Sequence, residues 1–336
     1  MRRAATGALV GLAIGDAMGF PTEFNGMAEI AAKSGPWREM TLPLAWGRAY
    51  VTDDTQMTLA LGEGLVAALA EGPLTPERME WPVRERFVAW SVSPDNNRAP
   101  GATCLRACEA LGARGPWQEA SQIGSKGCGA NMRVAPLGLV PGLDEEQQGG
   151  AAQLQAALTH GHPTALAAAD LTAHAVRLLA AGVAPAELLP ALTDHAHRNR
   201  DRYRVEWLGD LVSHAHDADP AAFAARGWDE CLTALDRLAA ALRSPDVEAD
   251  PCEATGAGWI AEEALATGLY CFLLLPDDAA AVVRRAAYSS GDSDSIAALA
   301  GAFAGAHLGA DAWPAEWVEV IEYRDRLLAL GAAWDV

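Results

Sequence analysis

Two short acidic runs concentrate the oxygen chemistry of this chain. In Val51-Thr52-Asp53-Asp54-Thr55-Gln56-Met57 a hydroxyl and two adjacent carboxylates stand just ahead of a helix-forming run that reaches Ala70. A capping role is one reading. Asp53 can accept the unpaired N–H groups of the helix start, and Gln56 can reach back to complete a capping box. That use consumes one acid only. Two neighbouring carboxylates repel, and keeping both ionised calls for a compensating positive charge, which a divalent cation with oxygen ligands supplies. Near the other end, Ser290-Gly291-Asp292-Ser293-Asp294-Ser295-Ile296 repeats the design ahead of very small residues running to Ala306. Caps explain either run separately; their recurrence points to one shared centre for two divalent cations.

Other residues with chemical potential lie between and before these runs. Glu23 falls on the loop after Gly19-Phe20-Pro21 ends the first helix, a place where an acid is ordinarily just solvated. The run Ile123-Gly124-Ser125-Lys126-Gly127-Cys128-Gly129-Ala130-Asn131-Met132-Arg133 offers glycines for close backbone approach to a ligand, and Lys126 and Arg133 add positive charge suited to a phosphate. It matches neither a Walker loop nor a dinucleotide fingerprint. Three His-x-His pairs, His160/His162, His195/His197 and His214/His216, lack the spacing and partners of a zinc site, and only His160 is expected near a ligand.

The elements that must position these residues read as helices throughout. Ala4 to Met18 is a buried helix with Gly7, Gly11 and Gly15 repeating every four residues on one face, a pattern for close packing, and Asp16 interrupts its apolar run. The segment from Phe20 to Tyr50 is expected to be an ordered loop. Helices follow over Thr55–Ala70 and Glu77–Ser91, then a polar loop from Ser93 to Gly101 with Thr103 heading the next helix. From Gln147 to Leu242 helices are broken near Gly161-His162-Pro163, Gly182, Pro190 and Pro220, and Asp194 to Trp207 reads as a solvated charged end. Glu253 to Leu275 is one helix or a pair. Sustained apolar/polar alternation is missing, so the fold class is all-α, with loops gathered at helix N-termini.

With 336 residues, 51% of them apolar, the chain can bury a large core, and it is read as a single domain over 1–336. A net charge of −19 argues against nucleic acid or an anionic membrane as the main partner. Six cysteines without paired spacing suit reduced thiols, hence a cytoplasmic setting, with Cys104 and Cys108 sharing a packed helix face. Met1-Arg2-Arg3 and the apolar residues after it are read as a core helix rather than a leader, and no stretch is expected to span a membrane.

The blocks GALVGLAIGDAMGFPTEF, TDDTQMTLAL, NNRAPGATCL, GCGANMRVAPLGL, LTHGHP and GDSDSIAALAGAFAGAHLG resemble the ADP-ribosylglycohydrolase family, in the family's order and over nearly the full chain. The resemblance implies a compact orthogonal multi-helix bundle with a binuclear Mg²⁺ or Mn²⁺ site in a cleft at helix N-termini. It carries metal ligands onto Thr52, Asp53, Asp54, Asp292, Asp294 and Ser295, and catalytic roles onto Glu23, Asp53 and Asp54. Gly124, Ser125, Lys126 and Gly127 match the loop that holds the diphosphate of ADP-ribose, and His160 matches a histidine lining the cleft. Cys128 and Asn131 depart from residues that are often Asn and Ala or Leu. The adenine-stacking aromatic is left open, with Tyr203 and Trp207 as candidates. The implied activity is hydrolysis of the N- or O-glycosidic bond between ADP-ribose and a protein side chain or small molecule, through an oxocarbenium-like state. A non-catalytic ADP-ribose binder of the same fold and a binuclear phosphoester hydrolase are the alternatives.

Overall fold

The computed structural model describes residues 2–215 and 219–335, and among them the chain is helical, with β pairing limited to isolated bridges such as Ala49 with Ile321. Prolines and short polar side chains set many helix starts. Pro76, Pro163, Pro185, Pro220 and Pro251 occupy first-turn positions, where the missing N–H costs nothing, and Thr75, Asp144, Asp219, Asp250 and Asp278 accept backbone N–H groups as caps. Buried apolar side chains from all these helices join in one continuous core.

Two helices form the axis of that core, Ala4–Gly19 and Ser293–Leu308, and both are buried along nearly their whole length. They run antiparallel at unusually close range. A Cβ on Gly7, Gly11, Gly15 or Gly19 would stand 2.0–2.5 Å from the carbonyl oxygen of Gly305, Gly301, Ala297 or Ser293 respectively. Only hydrogen in place of a side chain permits that approach, which is why the four-residue glycine repeat is there. The pairing brings the end of the first helix beside the start of the second, and so places Asp16 next to the second acidic run.

Several expectations are corrected. Ala4–Thr22 has the length and mean hydropathy, 1.3, of a membrane span, because one buried Asp16 barely lowers the average; most of it lies inside the protein. The segment before Tyr50 contains a helix, Met27–Ser34, that packs Ile30 inward and is started by the Glu29 carboxylate accepting the Gly26 N–H. Pro190 does not break the chain but sits inside the Pro185–Asn199 helix; the carbonyl it leaves without a partner, that of Ala186, is in an exposed first turn where water can bond it. The end of that helix is not a solvated face. His195, Asn199, Arg204 and Trp207 are buried, and Asp170 binds both the His195 ring, at 2.9 Å, and Arg204. Of the two readings given for Glu253 to Leu275, the helix pair is the one found, Pro251–Thr255 and Ala261–Leu274.

Candidate active site

Asp16 organises the meeting of three helix ends. Its buried carboxylate accepts the Thr52 N–H at 2.9 Å, the Thr52 hydroxyl at 2.8 Å, the Thr55 N–H at 3.0 Å and the Thr55 hydroxyl at 2.6 Å. Those donors belong to the start of the Asp53–Ala70 helix, so an acid from another helix satisfies them. The capping box that Asp53 and Gln56 could form by their spacing is therefore not made. Thr52 is the cap, accepting the Asp54 N–H at 3.4 Å, and Gln56 instead accepts from the Trp90 ring N–H and donates to the Asp95 carbonyl. Freed from capping, Asp53 and Asp54 face the cleft, where Asp53 accepts the Gly101 N–H at 3.1 Å. The polar loop Ser93–Gly101 thus supports the centre, and its Arg98 binds the Val51 carbonyl and Glu322.

The second acidic run meets the first at the same place. Glu23, Asp292 and Asp294 each offer a carboxylate oxygen, all within 4.8 Å of one another. With Asp53, Asp54, Ser295 and Cys128 they line a cavity of about 350 Å³, whose walls also include Gly127, Gly129, Met132 and His160. A larger cavity, about 430 Å³, lies at the opposite end of the first helix around Leu137, Gln148, Arg177 and Trp334 and has no such convergence of acids. Size does not identify the site; chemistry does.

So many acids cannot all be ionised side by side. Burial, and then the charge of Asp294, push Asp16 up to about 7 and Glu23 up to about 9. Asp53 is pushed up to about 7 by burial, with the Gly101 N–H opposing the rise and Asp294 adding to it. Asp54 and Asp292 are raised well above the carboxylate range by burial and by Asp294. The nearby side-chain cations are committed elsewhere. Lys126 pairs with Glu230 at 2.7 Å and with Glu262, and Arg133 is fully buried on Gln155 and Thr159 beneath the Phe87 ring, so neither side chain lines the cleft, although the Arg133 charge still acts on Asp53 from behind. Asp54 Oδ1 is buried with no hydrogen-bond partner. Acceptor-only oxygens, like charges and an orphaned carboxylate oxygen form the donor set that hard divalent cations complete.

Residues 1–335 match the ADP-ribosylglycohydrolase family. The chain belongs to that family. A relative from Rhodospirillum rubrum, ADP-ribosyl-[dinitrogen reductase] glycohydrolase, is 30% identical over 97% of this chain and 96% of its own length. The mouse protein ADP-ribosylhydrolase ARH3 is 31% identical over 81% of this chain and 73% of its own. A solved chain described as an ADP-ribosylglycohydrolase-related protein complex superposes with a TM-score of 0.64 at 23% identity, covering 99% of this chain and 97% of that one, and shows the same fold. The all-α class expected from the sequence is thus the fold of this ADP-ribosylglycohydrolase family member.

The glycine-rich segment divides between cleft and scaffold. Gly127 lines the cleft; Gly124 is exposed, Ser125 shares a hydroxyl contact with Thr103 at 3.1 Å, and Lys126 turns to its two glutamates. The segment is clamped on both sides, by Gln122 N–H on the Thr159 carbonyl and by Cys128 N–H on the Trp259 carbonyl. His160 is buried beside Gly127 and Gly129, and burial with Arg133 nearby lowers it to about 3, so it stays neutral. Its Nδ1 faces the Thr159 hydroxyl at 2.8 Å. Among the other histidines, His162 caps a helix, His195 stacks on His174 at 4.0 Å, and His216 lies outside the described residues.

Four site residues were missed in the sequence. Asp16 was visible only as an acid inside an apolar helix, and that isolation was the signal. Cys128 donates its thiol hydrogen to Asp292 Oδ2 at 2.8 Å. Phe24 and Trp259, 69% and 41% exposed, stack at 5.2 Å on the cleft rim, whereas Tyr203 and Trp207 pack on other parts of the fold. Phe24 neighbours Glu23 in sequence, but Trp259 comes from a distant loop and no local pattern pairs them.

Proposed function

We propose that this protein is a cation-dependent hydrolase that cleaves the glycosidic bond between ADP-ribose and an N- or O-linked acceptor, releasing ADP-ribose. The observation that carries this reading is the convergence of both acidic runs and Glu23 on one cleft, in a chain whose family acts on this bond. Thr52, Asp53, Asp54, Asp292, Asp294 and Ser295 would hold two divalent cations, Mg²⁺ or Mn²⁺. Bound there, the cations neutralise the acids and supply Lewis acidity that orients ribose hydroxyls and makes a water more acidic.

The chain's own residues divide the rest of the work. Glu23, half-buried beside Asp292 and Asp294, is the carboxylate that holds the attacking water and takes its proton as the bond at the anomeric carbon opens. Asp16 keeps Thr52, Asp53 and Asp54 in register. The backbone of Gly127 to Gly129 lies close along the cleft wall, where the N–H groups of Gly127 and Gly129 can meet a diphosphate, with Lys126 anchoring the loop from behind. His160, neutral, offers shape and one hydrogen bond rather than a proton. At the rim, Phe24 and Trp259 present ring faces suited to stacking a base.

The test is release of free ADP-ribose, followed by mass spectrometry, from arginine-, serine- and acetyl-linked substrates with Mg²⁺, with Mn²⁺ and with chelator. Cation-dependent release from one class is the expected result and names the acceptor. AMP or phosphate as product would replace this reading with phosphoester hydrolysis, and binding of ADP-ribose without release from any substrate would make the protein a binder.

A further inference from the structure

We propose that Cys128 is a soft donor of the acidic centre, so that the cleft takes a thiophilic divalent cation, of the Zn²⁺, Cd²⁺ or Co²⁺ class, in competition with Mg²⁺ or Mn²⁺. The inference rests on the cation centre proposed above and concerns a residue that no metal role was expected of. Three observations support it. Cys128 lines the same cavity as Asp53, Asp54, Asp292, Asp294 and Ser295. Its Sγ lies 2.8 Å from Asp292 Oδ2 and 3.4 Å from Ser295 Oγ, between two oxygens of the centre. Independently, Asp54 Oδ1 is buried in that cavity wall without any partner, an acceptor that only an added donor or cation would satisfy.

The chemistry follows from the donor set. Carboxylates and hydroxyls alone favour hard cations, whereas one thiolate shifts preference toward soft ones. On binding such an ion the thiol gives up its proton to solvent and a sulfur–metal bond forms; the S–H contact to Asp292 Oδ2 is lost at the same moment, which frees that oxygen as well. Mn²⁺, which tolerates nitrogen and oxygen donors and gains less from sulfur, has no need of this exchange. Cys104 also borders the cavity, but it is buried in helix packing against Arg133 and serves as the internal comparison.

The experiment uses the full chain, stripped of metal and loaded with Co²⁺, whose thiolate complexes show a charge-transfer band in the near ultraviolet in addition to weaker visible bands. Wild type is expected to show the band, and Cys128→Ser or Cys128→Asn to lose it while still binding Mn²⁺ by calorimetry. Cd²⁺ affinity should fall about 10-fold or more in either variant, with Mn²⁺ affinity changed by less than about threefold. Co²⁺ bound by wild type with visible bands and no charge-transfer band overturns the inference alone, as does a band that survives in both variants. Failure of wild type to bind Mn²⁺ or Co²⁺ at all overturns the cation centre and this inference with it.

Discussion

Every donor that Asp16 satisfies belongs to the Thr52–Thr55 stretch, so Asp16→Asn would turn amide hydrogens toward N–H groups and loosen the stretch that carries Asp53 and Asp54. The variant should fold yet bind Mn²⁺ about 10- to 100-fold more weakly by calorimetry, the size of effect that an outer hydrogen-bond partner has on a metal site. Unchanged affinity would mean that the Thr52 stretch holds itself in place. Asp53→Ala and Asp294→Ala remove donors directly and should lose both cation binding and turnover, by more than about 100-fold; full activity in either rules out the two-cation centre. Glu23→Gln keeps the volume and the other carboxylates. Its cation affinity should change little while kcat drops about 10²- to 10⁴-fold, as expected for a lost proton acceptor, and a wild-type kcat removes Glu23 from the chemistry.

Helices set these distances, and the closest pair sets most of them. Because Ala4–Gly19 and Ser293–Leu308 touch backbone to backbone, a methyl at Gly305 would lie 2.0 Å from the Gly7 carbonyl oxygen, which cannot retreat as a side chain can. Gly305→Ala should therefore destabilise the fold by about 1–3 kcal/mol or more in chemical denaturation. Gly112→Ala, whose new methyl would meet only Val88 at 3.7 Å, should be close to neutral. Equal stability of the two variants would show that the helix axis is more yielding than its geometry implies. Much of this was legible beforehand: the glycine repeat named the packed face, and turn-forming residues named most helix ends. What local sequence missed was partnership. Gln56 and Asp53 had the spacing of a capping box, but Asp16 from another helix outcompetes that local solution, and Pro190 reads as a break although the carbonyl it leaves unpaired, that of Ala186, lies in the exposed first turn of its helix.

At the scale of the whole molecule, the acids of the cleft couple stability to pH. Asp16, Glu23 and Asp53 have carboxyls raised from near 4 to about 7, 9 and 7 in the fold, so between those limits the native state holds more protons than the unfolded chain. The contribution of these acids must then fall as pH rises through that window, while the neutral His160 and His174, lowered to about 3 and about 4, oppose the trend below about pH 6.5. In chelator, the melting temperature should decline from about pH 7 toward about pH 9. Adding Mn²⁺ or Mg²⁺ should raise the melting temperature most at the alkaline end, a concentration of a hundred times Kd adding about 2.7 kcal/mol of stability, because the cation replaces the protons. A chelated protein whose melting temperature rises over that range would show that the acids are not clustered as described. The overall charge of −19 makes the same demand more diffusely, since every acid in the cleft sits within a negative protein.

By itself the sequence determined the helical class, the two acidic helix starts, the glycine face and the family, because each is written in residues a few positions apart or in motifs that survive in order. Tertiary structure alone decided which cation-bearing side chains reach the cleft. Lys126 and Arg133 stand in the same glycine-rich segment, yet one is drawn off by Glu230 and Glu262 and the other is buried on Gln155 and Thr159, partners more than twenty residues away. It also decided that Asp16, Cys128, Phe24 and Trp259 belong to the site. A side chain's chemistry is set by what surrounds it, and in this fold those surroundings come from segments as distant as Asp16 and Asp294, which only the antiparallel helix pair brings together.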